Sequence, residues 1–308
     1  MPTTYAEGWA RTGDGQLRRA TAESEPDLFW ALRGGKGALG IVTAIEFDLL
    51  PLPRIYAGAL YFDGADAARV AHAWARWCAR LPLEATTSLA LLHLPAMPGV
   101  PEPLAARSSV AVRFAFTGAA EEGGRLLAPL RALATPLIDA VGIMPYAQIG
   151  MVHADPVDPL PFVEHSALLR DLPEAAVEAL LETAGPGPAV AGMPARGQGF
   201  EAEVRQLGGA VAAGGGGALC HRDADFQLFT VGLVPPPEVG VAAEQVRYIH
   251  ERLEPWSTGG MMPNFAASAG PEGMARCYDG PTLARLTALA QAYDPHHVFR
   301  VGQVPARG

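Results

Sequence analysis

The chain has 308 residues, 49% hydrophobic and 18% charged, a balance that excludes a disordered polymer and supports one large domain or two moderate ones. A formal net charge of −9 excludes the net basic face that nucleic-acid binding needs. Cys78, Cys220 and Cys277 are odd in number and widely spaced, which indicates neither a disulfide framework nor a zinc cluster, so no metal site is expected. The first residues hold no apolar signal-peptide region, and the longest apolar runs are broken well short of the roughly 18 residues of a membrane span. A cytoplasmic protein away from any membrane is expected.

Ala6–Arg11 and Gln16–Ala20 flank Gly13-Asp14-Gly15 and predict a hairpin. Glu25-Pro26-Asp27 then opens a short helix, Leu28–Leu32, with Pro and an acid at its positive end. A glycine-rich loop, Arg33 to Gly40, leads into Ile41–Leu50, which reads as a buried strand stopped by Pro51 and Pro53. Beyond that boundary the pattern predicts strand Tyr56–Phe62, helix Ala65–Leu81, strands Ser88–Leu94 and Ser109–Thr117, and helix Ala119–Ala134. The spacing of Trp74 and Trp77 points both into a core. A Pro-rich connection, Tyr146–Pro161, carries no periodicity. Helix Pro173–Ala184, strands Glu201–Leu207 and Phe226–Val234, and helix Glu238–Leu253 follow, with loops at Pro186–Gly199 and Ala212–Gly217 and a last helix at Pro281–Ala292. Two rounds of strands and long helices imply an α+β fold, an antiparallel sheet with helices on one face.

The glycine loop is the first place where chemistry is expected. Gly34, Gly35, Gly37 and Gly40 let backbone approach a ligand and present N–H groups to an anion such as a pyrophosphate; a tight connection is the competing reading. The order here is helix–loop–strand. A Rossmann loop or a P-loop needs strand–loop–helix, so both are excluded.

The run Pro26-Asp27-Leu28-Phe29-Trp30-Ala31-Leu32-Arg33-Gly34-Gly35, continued by Gly37, Gly40, Ile41, Val42 and Thr43, resembles the PDLFWALRGGGG–FGVVT segment of FAD-linked oxidases of the vanillyl-alcohol-oxidase (PCMH-type) superfamily. Tyr293-Asp294-Pro295-His296-His297-Val298-Phe299-Arg300 with Gln303 is similar to the C-terminal motif of its berberine-bridge-enzyme-like branch, and Glu203 to Gly209 resembles a strand of its substrate domain. The resemblance implies the tail of a PCMH-type FAD-binding domain (1–53), a substrate domain (54–278) and a C-terminal segment (279–308) returning to the flavin side. It implies FAD contacts from the backbone of Gly34, Gly35, Gly37, Gly40, Ile41, Val42 and Thr43, and from Asn264. Lys36, Ala38 and Leu39 replace the usual Gly, Asn and Phe; Phe265 stands where relatives carry a tyrosine, and His297 where Asn is common. The family's upstream phosphate loop and its flavin-attachment histidine and cysteine have no counterpart here, which reads as N-terminal truncation. No covalent link is assigned, and FAD binding is expected to be weak or lost.

The implied function is a flavoprotein oxidoreductase that takes a hydride from a small alcohol, sugar or amine to flavin N5, with molecular oxygen as acceptor; the alternative is a catalytically silent binding protein or fragment. No catalytic residue is fixed. Glu203 and Arg205 share one face of a predicted strand and Gln206 the other, with a structural ion pair as the competing reading. Tyr146 and His153 lie on the unpatterned connection, where a tyrosine could take a hydroxyl proton or simply pack its ring. His221-Arg222-Asp223 is either a relay or turn chemistry.

Overall fold

A computed structural model describes residues 5–156, 158–187, 199–233, 239–266 and 270–299. Strand β1 (Tyr5–Thr12) turns back into β2 (Leu17–Ala20). Asp14 holds the turn: its carboxylate accepts from Thr12 Oγ1 at 2.6 Å and the Gln16 amide at 3.1 Å, and pairs with Arg18. Helix α1 (Pro26–Leu32) buries Leu28, Phe29 and Ala31, and β3 (Gly40–Phe47) pairs antiparallel with β1, giving the order β2-β1-β3. The strand expected at Ile41–Leu50 is present, but it is not buried. Every β3 residue after Gly40 is exposed, and among the described residues the strand pairs with β1 alone. Its apolar residues imitate a core strand, although Thr43 and Glu46 interrupt them.

The chain continues through β4 (Arg54–Asp63), α2 (Ala67–Cys78), β5 (Ala85–Leu94), β6 (Arg107–Phe116), α3 (Ala120–Arg131), β7 (Ile138–Asp139) and β8 (Gly142–Pro145). A 3-10 segment, Tyr146–Val152, precedes β9 (Phe162–Leu169), α4 (Glu174–Ala184) and β10 (Phe200–Gln206). After the short α5 (Gly209–Ala212) come β11 (Phe226–Leu233), α6 (Val239–Leu253), α7 (Gly270–Ala275) and α8 (Gly280–Tyr293). The eight-stranded antiparallel sheet runs β7-β4-β6-β5-β10-β11-β9, with β8 also on β4. Strand β9 is absent from the sequence reading: Glu164, His165 and Ser166 interrupt its apolar alternation. Most of loop Pro186–Gly199, together with Val234, Glu238, Arg300 and Gln303, lies outside the described residues.

The chain divides into two units. The smaller comprises 1–51, 210–223 and 259–308, the larger 52–209 and 224–258. Segments 210–223 and 259–278, which the sequence reading puts with the substrate domain, therefore cluster with the N-terminal residues. In the larger unit, Val70, Trp74 and Trp77 of α2, Leu127 of α3, Leu180 of α4 and Ile249 of α6 pack on one sheet face against Leu89, Val112, Phe114, Val204 and Leu228. This is the expected α+β layer. Both tryptophans are buried, and Trp74 Nε1 donates to Thr87 Oγ1 at 3.0 Å. In the smaller unit, Leu28, Phe29 and Leu39 close a core with Met261, Tyr278 and Leu286. Helix α8 ends at Asp294, whose buried carboxylate accepts from the Val298 and Phe299 amides and so turns the chain.

Candidate functional site

In the smaller unit the glycine loop is clasped by its own chain over most of its length. Gly34 has φ +130°, and a Cβ there would lie 2.4 Å from the Leu219 nitrogen. Arg33 reaches the carbonyls of Gly215 and Gly216 at 2.9 and 2.7 Å while its guanidinium lies over the Phe29 ring, and its own carbonyl accepts from Ala218 N. A Cβ on Gly35 would meet the Ala31 carbonyl at 2.5 Å, and one on Gly40 the Arg11 carbonyl at 2.8 Å. These three glycines are required by packing whatever else they do.

Gly37 differs: no atom lies within 4 Å of where its Cβ would be. Among the described residues, the backbone N–H groups of Lys36 and Gly37 have no acceptor. The Lys36 amine donates to Asn264 Oδ1 at 3.1 Å, and Lys36 itself is left-handed at φ 56°. Two unused amides beside an ammonium, in front of open space, suit an anion. The residues present thus fit one phosphate-sized group of a dinucleotide at Lys36–Gly37, with Asn264 positioning the lysine. Ile41, Val42 and Thr43 expose their side chains along β3, and Thr43 Oγ1 donates to the Trp9 carbonyl.

In the larger unit, the sheet face away from the helices carries a polar network. Glu203 is fully buried on β10. Its carboxylate accepts from Ser88 Oγ at 2.6 Å, Arg113 at 2.7 Å and Arg205 Nε at 2.5 Å, and lies 3.2 Å from His153 Nε2. Arg113 also pairs with Glu201. Burial pushes the Glu203 pKa up, but the hydrogen bond with His153 and the charges of Arg113 and Arg205 outweigh it, holding the carboxyl well below the usual range. A carboxylate so stabilised is a poor proton acceptor, so Glu203 orients neighbours rather than acting as a base. With Glu203 ionised, His153 Nε2 is the donor in this hydrogen bond, and Nδ1 is the ring nitrogen left over. Among the described residues that nitrogen has no partner.

Sequence spacing puts Glu203 and Arg205 on one face, and the structure brings them together. Gln206 turns to the helix side and donates to the Cys78 carbonyl. Tyr146 begins the 3-10 segment, is half exposed and makes no side-chain hydrogen bond among the described residues. His221, at φ 55°, bonds the Arg276 carbonyl, and Arg222 turns to those of Val211 and Leu219. No relay through Asp223 forms among the described residues; the turn reading describes this segment. Arg113 and Ser88 were not singled out in the sequence. A charge inside the apolar strand Val110–Phe116 was the available signal, since a buried cation needs a partner.

No family model matches the chain. An FAD-linked oxidoreductase of Dictyostelium discoideum is 19% identical over 292 residues, covering 93% of this chain and 59% of that protein. Among solved structures, BBE-like 1 of Physcomitrella patens superposes with a TM-score of 0.77 at 16% identity over 98% of this chain and 64% of its own. The xylooligosaccharide oxidase of Myceliophthora thermophila, solved with xylobiose, superposes with a TM-score of 0.74 at 18% identity, covering 99% of this chain and 67% of its own. The chain therefore has the fold of berberine-bridge-enzyme-like FAD oxidases, as the sequence motifs imply, and spans about 60% of the length of the Dictyostelium relative. Among the described residues, no helix is long and apolar enough to cross a membrane.

Proposed function

We propose that the chain belongs to an FAD-dependent oxidoreductase acting on a small alcohol, sugar or amine, with molecular oxygen as acceptor and in the cytoplasm, where its free cysteines stay reduced. The smaller unit serves the flavin and the larger unit the substrate. Bound FAD would supply a hydride acceptor. Lys36 and the amides of Lys36 and Gly37 hold a cofactor phosphate; Asn264 fixes the lysine. Buried Glu203, itself held by Arg113, Arg205 and Ser88, orients His153 so that Nδ1 can take the proton leaving a substrate hydroxyl or amine.

The observation that carries this reading is the open anion seat at Lys36–Gly37 in a loop whose other glycines are filled by protein. Titration of the purified protein with FAD, followed by quenching of flavin fluorescence, tests it. Weak binding is expected, lowered about a further tenfold in Gly37→Val, which fills the seat and removes charge-assisted amide contacts. Equal binding by the parent and a folded Gly37→Val would show the loop to be a connector only.

A further inference from the structure

We propose that the groove between α2 and α3 is a second binding site, for a small soluble anionic amphiphile: a carboxylate, sulfate or phosphate head on an apolar body. The groove has a volume of about 340 Å³. Trp77 and Leu130, both buried, form its floor, with Leu126 and Leu133 beside them, and the Trp77 indole is fixed by donating to the Leu126 carbonyl at 2.9 Å. An apolar floor of this size suits a medium-length acyl chain or an aromatic ring.

The rim gives the sign of the head group. Arg76 on α2, Arg80 just beyond it and Arg125 on α3 line the groove, and all three are exposed. Elsewhere in this unit Arg69, Arg107, Arg113, Arg131, Arg247 and Arg252 are each ion-paired, Arg170 bonds the carbonyls of Pro255 and Ser257, and Arg54 stands alone without a partner among the described residues. Among the described residues the three groove arginines have no side-chain partner. Arg76, in the last turn of α2, gains from the negative end of that helix, whereas Arg125, in the second turn of α3, has no such help. Glu121, one turn before Arg125, does not pair with it. In a chain with a net charge of −9, three unneutralised guanidiniums around one apolar floor form a complementary surface for an anion whose tail the floor can cover.

Isothermal titration calorimetry of the whole protein with sodium decanoate, below its micelle concentration, tests the proposal. Saturable one-to-one binding is expected, at least about tenfold weaker in Arg76→Ala/Arg125→Ala with an unchanged unfolding midpoint, because both side chains are exposed and unpaired. Arg76→Lys/Arg125→Lys keeps the charges and should hold affinity within about threefold of the parent, and decyltrimethylammonium should not bind. Three results overturn the proposal: no saturable decanoate binding, undiminished binding by the double alanine variant, or equal binding of the cationic detergent. Capture of a polyglutamate peptide or of phosphatidylserine vesicles without decanoate binding also overturns it, showing the rim to serve a peptide or a membrane surface instead.

Discussion

The larger unit covers one face of an eight-stranded sheet with four helices and pairs the buried charges Arg113 and Glu203 on its opposite face, where Ser109 Oγ, Arg113 Nε and Gln227 Nε2 lie buried without a partner among the described residues. The smaller unit has a three-stranded sheet, and its β3 leaves Ile41, Val42, Ile45 and Phe47 in the open, with Leu49 and Leu50 just after it. Similar apolar runs therefore have opposite fates. Strand β6, flanked on both edges and backed by α2, becomes core; β3, with one edge paired, becomes surface. Apolar character records that a strand wants cover, and what packs on its faces decides whether it gets it.

The sharpest way to break this contrast is inside the larger unit. Arg113→Met strands Glu203 and Glu201 without their shared cation, and a loss of about 3–5 kcal/mol in urea unfolding is expected. Adding Glu203→Gln should return much of that loss, since a paired charge is then removed rather than orphaned. Equal stability of the single variant and the parent would mean the network contributes nothing. The same carboxylate sets an acid limit. Its folded pKa lies below the ordinary value of 4.5, so its stabilisation is complete above that value and is lost as pH falls toward the folded one. Stability should therefore decline below about pH 4.5, less steeply in Glu203→Gln.

A smaller effect separates the two kinds of glycine. Gly34→Ala must force a Cβ against the Leu219 backbone at positive φ and should cost about 2–3 kcal/mol, whereas Gly37→Ala should stay within about 0.5 kcal/mol. Comparable losses in thermal or urea unfolding would erase the distinction between packed and open glycines. The smallest change in stability is expected on β3. Ile45→Lys should alter unfolding by about 0.5 kcal/mol or less while lowering self-association in light scattering. A parent that is already a monodisperse monomer would show that the strand is not an association surface.

Much of the fold is legible in the sequence because local spacing suffices for it. Val70, Trp74 and Trp77 define the inner face of α2, and Pro26 with Asp27 marks the start of α1. What was illegible depends on partners distant in sequence. Residues 215–219 carry no periodicity, and their place is set by Arg33, more than 180 residues earlier. Strand β9 hides because Glu164, His165 and Ser166 break its pattern, although β11 pairs along its whole length. At the site, the shared face of Glu203 and Arg205 follows from strand alternation alone. The association of His153 with Glu203 does not, since it joins a loop to a strand 50 residues later.

The discontinuity of the smaller unit also sets an order of events during synthesis. Its core needs Leu28 and Phe29 from the start of the chain and Leu286 and Ala290 from near the end. At roughly 5–20 residues per second, the first 51 residues wait some 12–50 seconds on the ribosome before α8 has been made. Throughout that interval α1 has no α8 to shelter it and β3 is already apolar. A released fragment ending at residue 260 should therefore depend on chaperones or be cleaved by protease within its first fifty residues, while the stretch from β4 to β11, complete in that fragment, resists.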